Sequence, residues 1–247
     1  MMGKGRRKGI RHMTKLHGKI VEAKLLTEQD RKEMFSLMEE FYDDTALNVF
    51  MKDLEEKDYC ILLFDEVGRI KGFSTQKIMS VEVEGENVYG VFSGDTIIHK
   101  EYWGSIELYK LFAKYFISYG KRYGNFYWFL ISKGYKTYRM LPLFFKEFYP
   151  NYRVETPTYE KGIMDSLGAA KYSDEYDKER GVILYKGTKD RLKAGVADIT
   201  EKQLKDADIL HFLKLNPEYY KGNDIVCLAK LTEGNLKPAI RRLLLGK

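Results

Sequence analysis

The sequence predicts an α/β (α+β) fold, a mixed and mostly antiparallel twisted sheet flanked by helices, with a helical extension towards the C-terminus. Three observations predict it. Segments of period two and of period 3.6 alternate along the chain in the order β, α, α, β, β, β, α, β, α. Three consecutive extended segments are joined by short turn signals, as in an antiparallel meander. The 247 residues are 44% hydrophobic and 32% charged with only 5 Pro and 21 Gly, which suits a packed core and excludes a disordered or fibrous chain.

The elements follow in order. Ile20–Leu25 alternates as a strand and ends at Thr27, where Thr27-Glu28-Gln29-Asp30 reads as a capping box: the threonine oxygen takes an orphan N–H and the acid returns the bond. Met34, Leu37, Met38 and Phe41 then recur at helical spacing. Asp44 or Thr45 caps a second short helix through about Glu56, with Leu47, Phe50, Met51 and Leu54 on one face. Tyr59–Asp65, Ile70–Glu84 and Asn87–Ile98 are the meander strands. Ser105 caps a helix from Ile106 to about Tyr119, which Gly120–Gly124 stops. Phe126–Ile131 is apolar almost throughout, as a central strand covered on both faces is.

A helix from about Thr137 to Phe148 ends before Pro150, and Tyr152–Glu179 is the least regular part, read as a long, partly ordered excursion whose Asp174–Glu179 run is a solvated face. Strands return at Gly181–Lys186 and Asp224–Ala229. Between them Thr200 and Gln203 cap a helix through Leu215, and an amphipathic helix, Leu236–Leu245, comes last.

Lys and Arg number 42 against 36 Asp and Glu, a net charge of +6. Residues 1–19 hold Lys4, Arg6, Arg7, Lys8, Arg11, Lys15 and Lys19 and no acid, leaving 35 basic against 36 acidic residues in the body. The charge that would suggest nucleic acid therefore belongs to an arm without interleaved aromatics, and nucleic-acid association is disfavoured. The chain divides into this arm (1–19), a main domain (20–190) and an extension (191–247) that packs on the same domain. Cys60 and Cys227 sit in apolar runs and read as buried, reduced thiols of an intracellular protein. No apolar stretch approaches the roughly 18 residues a membrane span needs, and no signal-peptide apolar run follows the basic arm. The expected location is the cytoplasm.

The segment Ser93-Gly94-Asp95-Thr96-Ile97-Ile98-His99-Lys100-Glu101-Tyr102-Trp103-Gly104-Ser105 runs from a strand into a helix. Four orphan N–H groups and a partial positive charge make a helix start an anion site, and glycine lets backbone approach phosphate. This junction and the order of elements resemble the GNAT-like acyl-CoA N-acyltransferase superfamily over roughly Ile20–Lys186. Ile97 to Tyr102 follow the strand half of the family's pattern and Gly104 matches its loop; Trp103 stands where the family usually has Arg, and Ile106 where it has a second glycine. Members that take acyl groups from acyl carrier protein, the N-acyl amino acid synthases and acyl-homoserine lactone synthases, tolerate weaker loops.

The resemblance implies an acyltransferase in which an amine or amino acid attacks a thioester, acyl-CoA or acyl carrier protein, lodged in a V-shaped gap between strands at Ile98 and Phe129. It implies a donor site at Ile97, Ile98, His99, Trp103, Gly104 and Ser105, with amides near Ile97 and Ile98 polarising the carbonyl. It also implies a base, for which Asp95 is the better-placed group and His99 the weaker, and a thiolate-protonating tyrosine, for which Tyr138, with Tyr135 nearby, falls in the matching place. Lys133, Lys136 and Arg139 are candidates for phosphate or for the acidic face of a carrier.

Phe126, Tyr127, Trp128, Phe129, Phe144, Phe145, Phe148 and Tyr149 are core or the wall of an acyl slot. The alternative is a catalytically inactive acyl/CoA-binding module, for which the missing glycine is the argument. Four histidines at no ligand spacing with the cysteines give no metal site, and no Gly-x-Ser-x-Gly, Walker or dinucleotide loop is present.

Overall fold

The computed structural model describes residues 15–247, so the part of the basic arm from Lys4 to Arg11 lies outside it. The elements are β1 (His17–Glu22), α1 (Glu28–Phe41), β2 (Tyr42–Asp43), α2 (Leu47–Glu55), β3 (Tyr59–Phe64), β4 (Ile70–Val83), β5 (Glu86–Ile98), α3 (Glu107–Gly120), β6 (Phe126–Ser132), α4 (Tyr135–Tyr138), α5 (Met140–Phe144), α6 (Thr158–Tyr172), β7 (Tyr176–Asp177), β8 (Val182–Ile183), β9 (Arg191–Leu192), α7 (Ala207–Leu215), β10 (Asp224–Lys230) and α8 (Pro238–Leu245). Eight strands form one sheet in the order β1-β3-β4-β5-β6-β10-β8-β7, and β2 and β9 form a separate pair. Every neighbouring pair in the large sheet is antiparallel except β5 and β6, which run parallel. This is the mixed, mostly antiparallel sheet flanked by helices that the sequence predicts.

Side-chain alternation along the strands assigns the two faces. Ile61, Leu63, Val91, Trp128, Leu130 and Cys227 point to the side covered by α3, α5, α7 and α8. Cys60, Leu62, Phe73 and Ile97 point to α1 and α2, and Phe92, Phe129, Val226 and Leu228 to α6, on the opposite side. The Thr27 box forms as expected: Thr27 Oγ1 accepts from Asp30 N–H at 3.1 Å, and Thr27 N–H donates to the Asp30 carboxylate at 3.0 Å. Both cysteines are free and buried, and burial pushes the Cys60 thiol up to about 12 and the Cys227 thiol up as well.

Several local expectations are corrected. The excursion Tyr152–Glu179 contains the fifteen-residue helix α6, with Ile163, Met164 and Leu167 buried. Its apolar stripe is narrow because small residues let it lie close to its neighbours: a Cβ on Gly168 would stand 2.9 Å from the Tyr176 ring. The helix predicted from Thr137 to Phe148 is instead two short ones, α4 and α5, since Pro142 begins a new first turn better than it continues an old one and Phe145 pairs with Leu236. α2 starts after Ala46 with no side-chain cap from Asp44 or Thr45. Thr200 and Gln203 do bond, but around a single turn, and α7 has its own cap in Asp206.

Candidate functional site

β5 carries a bulge. Gln76 pairs with Ser93 and Ser74 with Thr96, so Gly94 and Asp95 together face Thr75, one residue too many on β5. Glycine is required at the first of them, because a Cβ on Gly94 would lie 2.7 Å from Thr75 Oγ1 and 3.1 Å from Lys57 Cε. At the same level the parallel ladder stops: Ser93 with Leu130 is its last pair, although β5 continues to Ile98 and β6 to Ser132. The two strands fork there. His99 N–H donates to Lys71 C=O on β4 at 2.8 Å, which turns the N–H and C=O of Ile98, one residue earlier, towards the fork.

A hydrogen-bonded chain braces both bulge and fork. Trp128 Nε1 donates to Ser93 Oγ at 2.8 Å across the mouth of the fork, and Ser93 donates to Gln76 Oε1 at 2.7 Å. Gln76 Nε2 donates to Ser74 Oγ at 2.7 Å, which bonds Thr96 Oγ1 at 2.7 Å. The chain thus ties the two residues that flank the bulge to each other and to β6.

A cavity of about 840 Å³ opens in the fork and passes through the sheet. On the α3 side its wall is mostly apolar, formed by Leu108, Phe112, Trp128, Leu130, Met140 and Phe144. Here also lies the loop before α3. Gly104 has φ +98°, which suits glycine, with open space where a Cβ would be, and Ser105 Oγ accepts the Glu107 N–H at 3.4 Å. Trp103 is half exposed; its Nε1 donates to Ile98 C=O at 2.8 Å and its ring carries Lys136 Nζ at 3.9 Å. Burial lowers the Lys136 ammonium from its ordinary range.

On the α1 and α6 side the wall is charged and aromatic, with Tyr42, Asp53, Asp95, Lys171, Tyr172 and Tyr185 among its members. Lys57, whose side chain is fully buried, donates to both the carboxylate and the carbonyl of Asp53. Lys133 sits 3.3 Å from the Asp190 carboxylate and 3.4 Å from that of Asp224, and donates to two carbonyls, Asp190 and Gly222, at 3.0 Å. Asp224 also accepts from the Tyr185 hydroxyl at 2.8 Å. Asp95 has no hydrogen bond or ion pair among the described residues. Burial first, then the charges of Asp53 and Asp190, push its carboxyl up to about 6, against the pull of Lys189 and Lys57. A group so placed holds and releases protons near neutrality. Burial also raises the Tyr42 and Tyr172 phenols well above the usual range, with the Asp95 charge adding to both.

Of the residues singled out from sequence, Asp95, Ile97, Ile98, Trp103, Gly104 and Ser105 come together around the cavity. His99 stays outside its wall, with Nε2 3.3 Å from Glu40 and Nδ1 accepting from Glu101 N–H at 3.4 Å. Tyr138 is not brought there either: it is fully buried and its hydroxyl donates to Pro150 C=O at 2.9 Å. The gap opens at Ser93 and Leu130 rather than at Phe129, and of the eight aromatics only Trp128 and Phe144 reach the wall. Arg139 pairs with Asp206, while Lys133 and Lys136 hold the 190–197 segment by its carbonyls.

That segment, with Lys189, Asp190, Leu192 and Val196, is the part of the wall that sequence did not indicate; its anchor is the β2–β9 pair. Among the described residues no group of three His, Cys, Asp or Glu could hold a metal, and no helix is long and apolar enough to cross a membrane.

No protein-family model and no curated protein matches the chain. Solved structures similar to it include a conserved protein of Enterococcus faecalis V583, a probable N-acyltransferase, at 16% identity and TM-score 0.41, covering 54% of this chain and 33% of that one. A GNAT family N-acetyltransferase from Escherichia coli in complex with CoA aligns at 16% identity and TM-score 0.36, over 48% of this chain and 64% of its own. Saccharomyces cerevisiae N-myristoyltransferase with bound myristoyl-CoA aligns at 12% and 0.37, over 53% and 31%. The chain therefore spans about a third of the Enterococcus and yeast proteins.

Proposed function

We propose that the protein is an acyltransferase that moves an acyl group from a thioester, acyl-CoA or acyl carrier protein, to an amine or amino acid. One observation carries the reading: a cavity passes through the sheet at a bulged fork, apolar on one side and charged on the other, with an unpaired carboxylate at the junction. The donor enters on the α3 side, its phosphates at the amides of Gly104 and the first turn of α3, its acyl chain along Phe112, Trp128 and Phe144. The thioester carbonyl lies against the fork-facing N–H of Ile98.

The acceptor nitrogen attacks from the charged side; the C–N bond forms as the C–S bond breaks. Asp95 takes one proton from the acceptor's ammonium to free the lone pair that attacks, and the second proton, lost as the C–N bond forms, passes to solvent. The thiolate leaves on the α3 side, where Tyr109 supplies a proton; burial raises its phenol to about 12, so it is protonated at neutral pH.

The test is a screen of acyl-CoA and acyl-carrier thioesters with amine acceptors, read by free-thiol release. Release that is lost in Asp95→Asn supports the reading. No release with any donor, together with no thermal shift by any donor, refutes it. Donor binding without release selects the inactive binding module, the reading for which Ile106 in place of a second loop glycine is the argument.

A further inference from the structure

The ionisable groups lining the cavity pair off with a remainder. Asp53 is held by Lys57, Asp44 by Arg191 at 3.1 Å, and Asp190 by Lys189 at 2.6 Å and Lys133 at 3.3 Å. Asp224 is held by Lys133 and Tyr185, and Lys171 by Glu56 at 2.7 Å. Among the described residues two groups are left without an opposite charge: Asp95 and Lys136. The Lys136 ammonium donates to the Val196 carbonyl over the Trp103 ring, so the carboxylate of Asp95 is the group left to meet a ligand charge.

The same pairing bears on what the acceptor side excludes. A ligand carboxylate there would meet Asp53, Asp95 and Asp190 with every neighbouring lysine already engaged. To bind it, Lys133 or Lys189 would have to leave Asp190 or Asp224, and an uncompensated buried carboxylate is costly. An ammonium meets no such obstacle. Asp95 supplies its counter-charge, and the Tyr42, Phe92 and Tyr172 rings line the same side for an uncharged remainder.

We propose that the acceptor is a primary amine without a carboxylate, an organic cation whose ammonium docks on Asp95 and whose uncharged body lies against Tyr42, Phe92 and Tyr172. This rests on the acyltransferase reading, and it chooses the amine over the amino acid. The experiment is calorimetric titration of the full chain, without donor, with matched ligands: phenethylamine against phenylalanine, and isoamylamine against leucine, with phenylalaninamide to separate charge from size.

Each amine is expected to bind at least about tenfold more tightly than its amino acid. Phenylalaninamide should follow phenethylamine, and Asp95→Asn should abolish the preference. Equal or tighter binding of the amino acids overturns the proposal, and so does absence of binding by both amines. The two readings separate cleanly: an amine preference that persists while every thioester stays unreacted keeps this site and removes the transfer reaction.

Discussion

Asp95→Asn should make the protein more stable while removing its activity. A carboxyl that ionises at an ordinary 3.8 in the unfolded chain and at about 6 in the folded one binds its proton more tightly when folded. Between those values the folded state holds more protons, so stability falls as pH rises through the window; above about 6 the deficit is complete, and below about 4 it vanishes. Some 2 units at 1.36 kcal/mol each set a ceiling of about 3 kcal/mol. Because Asp95 faces an open cavity, the measured gain should be roughly 1 to 3 kcal/mol. Asparagine keeps the shape and never ionises. Urea unfolding of wild type and variant at about pH 8 and about pH 4.5 reads the difference: a clear gain at the higher pH that shrinks at the lower. A loss of stability at pH 8, or a gain independent of pH, would refute the assignment of Asp95 as an unpaired, partly desolvated carboxylate. In the proposed reaction the wild-type rate should also climb through about pH 6 as the base loses its proton.

Three further substitutions test the frame around it. Gln76→Leu removes the link between Ser93 and Ser74, both at 2.7 Å from a fully buried Gln76; the cost should be about 1 to 3 kcal/mol by chemical denaturation, with a fall in turnover as the bulge relaxes, and a neutral result would show that the chain does not brace the fork. Gly94→Ala forces a methyl to 2.7 Å from Thr75 Oγ1; overpacking of about 1 to 3 kcal/mol is expected in thermal melts, and full stability with full activity would mean the bulge tolerates repacking. Tyr138→Phe gives up the bond to Pro150, roughly 1 kcal/mol, and should leave turnover unchanged; a tenfold drop in turnover without loss of stability would return Tyr138 to the reaction.

The sequence was most informative where one local rule decided the outcome. The Thr27 box and the apolar run of Phe126 to Leu130 each carry a cap or a pattern that the structure realises. It was least informative where a distant partner decided. α6 falls in the stretch that reads as least regular, and its Gly162 and Gly168 are places where Val83 and Tyr176, distant or beyond the helix, press close. Lys133, Lys136 and Arg139 look like a phosphate grip because three cations stand within one turn of a helix start; Asp190, Val196 and Asp206, some 57 to 67 positions later, claim them instead. Asp95 was legible by position, but its freedom from partners was not, since the pairing of Asp53, Asp190 and Asp224 with lysines is a property of the folded cavity alone.

That pairing is the strongest physical sign that the cavity is a working site. Buried ion pairs seldom stabilise a protein more than well-packed apolar side chains of the same volume would. Yet here Lys57, Lys133, Lys171 and Lys189 are all drawn into or beside one cavity and each is matched to a carboxylate. The Gly94–Asp95 bulge adds a local interruption to the ladder, and the fork leaves the β6-facing edge of β5 without a strand. Each feature works against stability on its own. Together they leave Asp95, among the described residues, as a carboxylate without a partner in the wall that Ile98 also lines. A fold that needed only to pack would have closed the ladder beyond Ser93 and filled the gap with leucine; in the proposed reaction, which brings a cation and a thioester together from opposite faces of the sheet, the gap, the bulge and an acid left unpaired among the described residues each have a use.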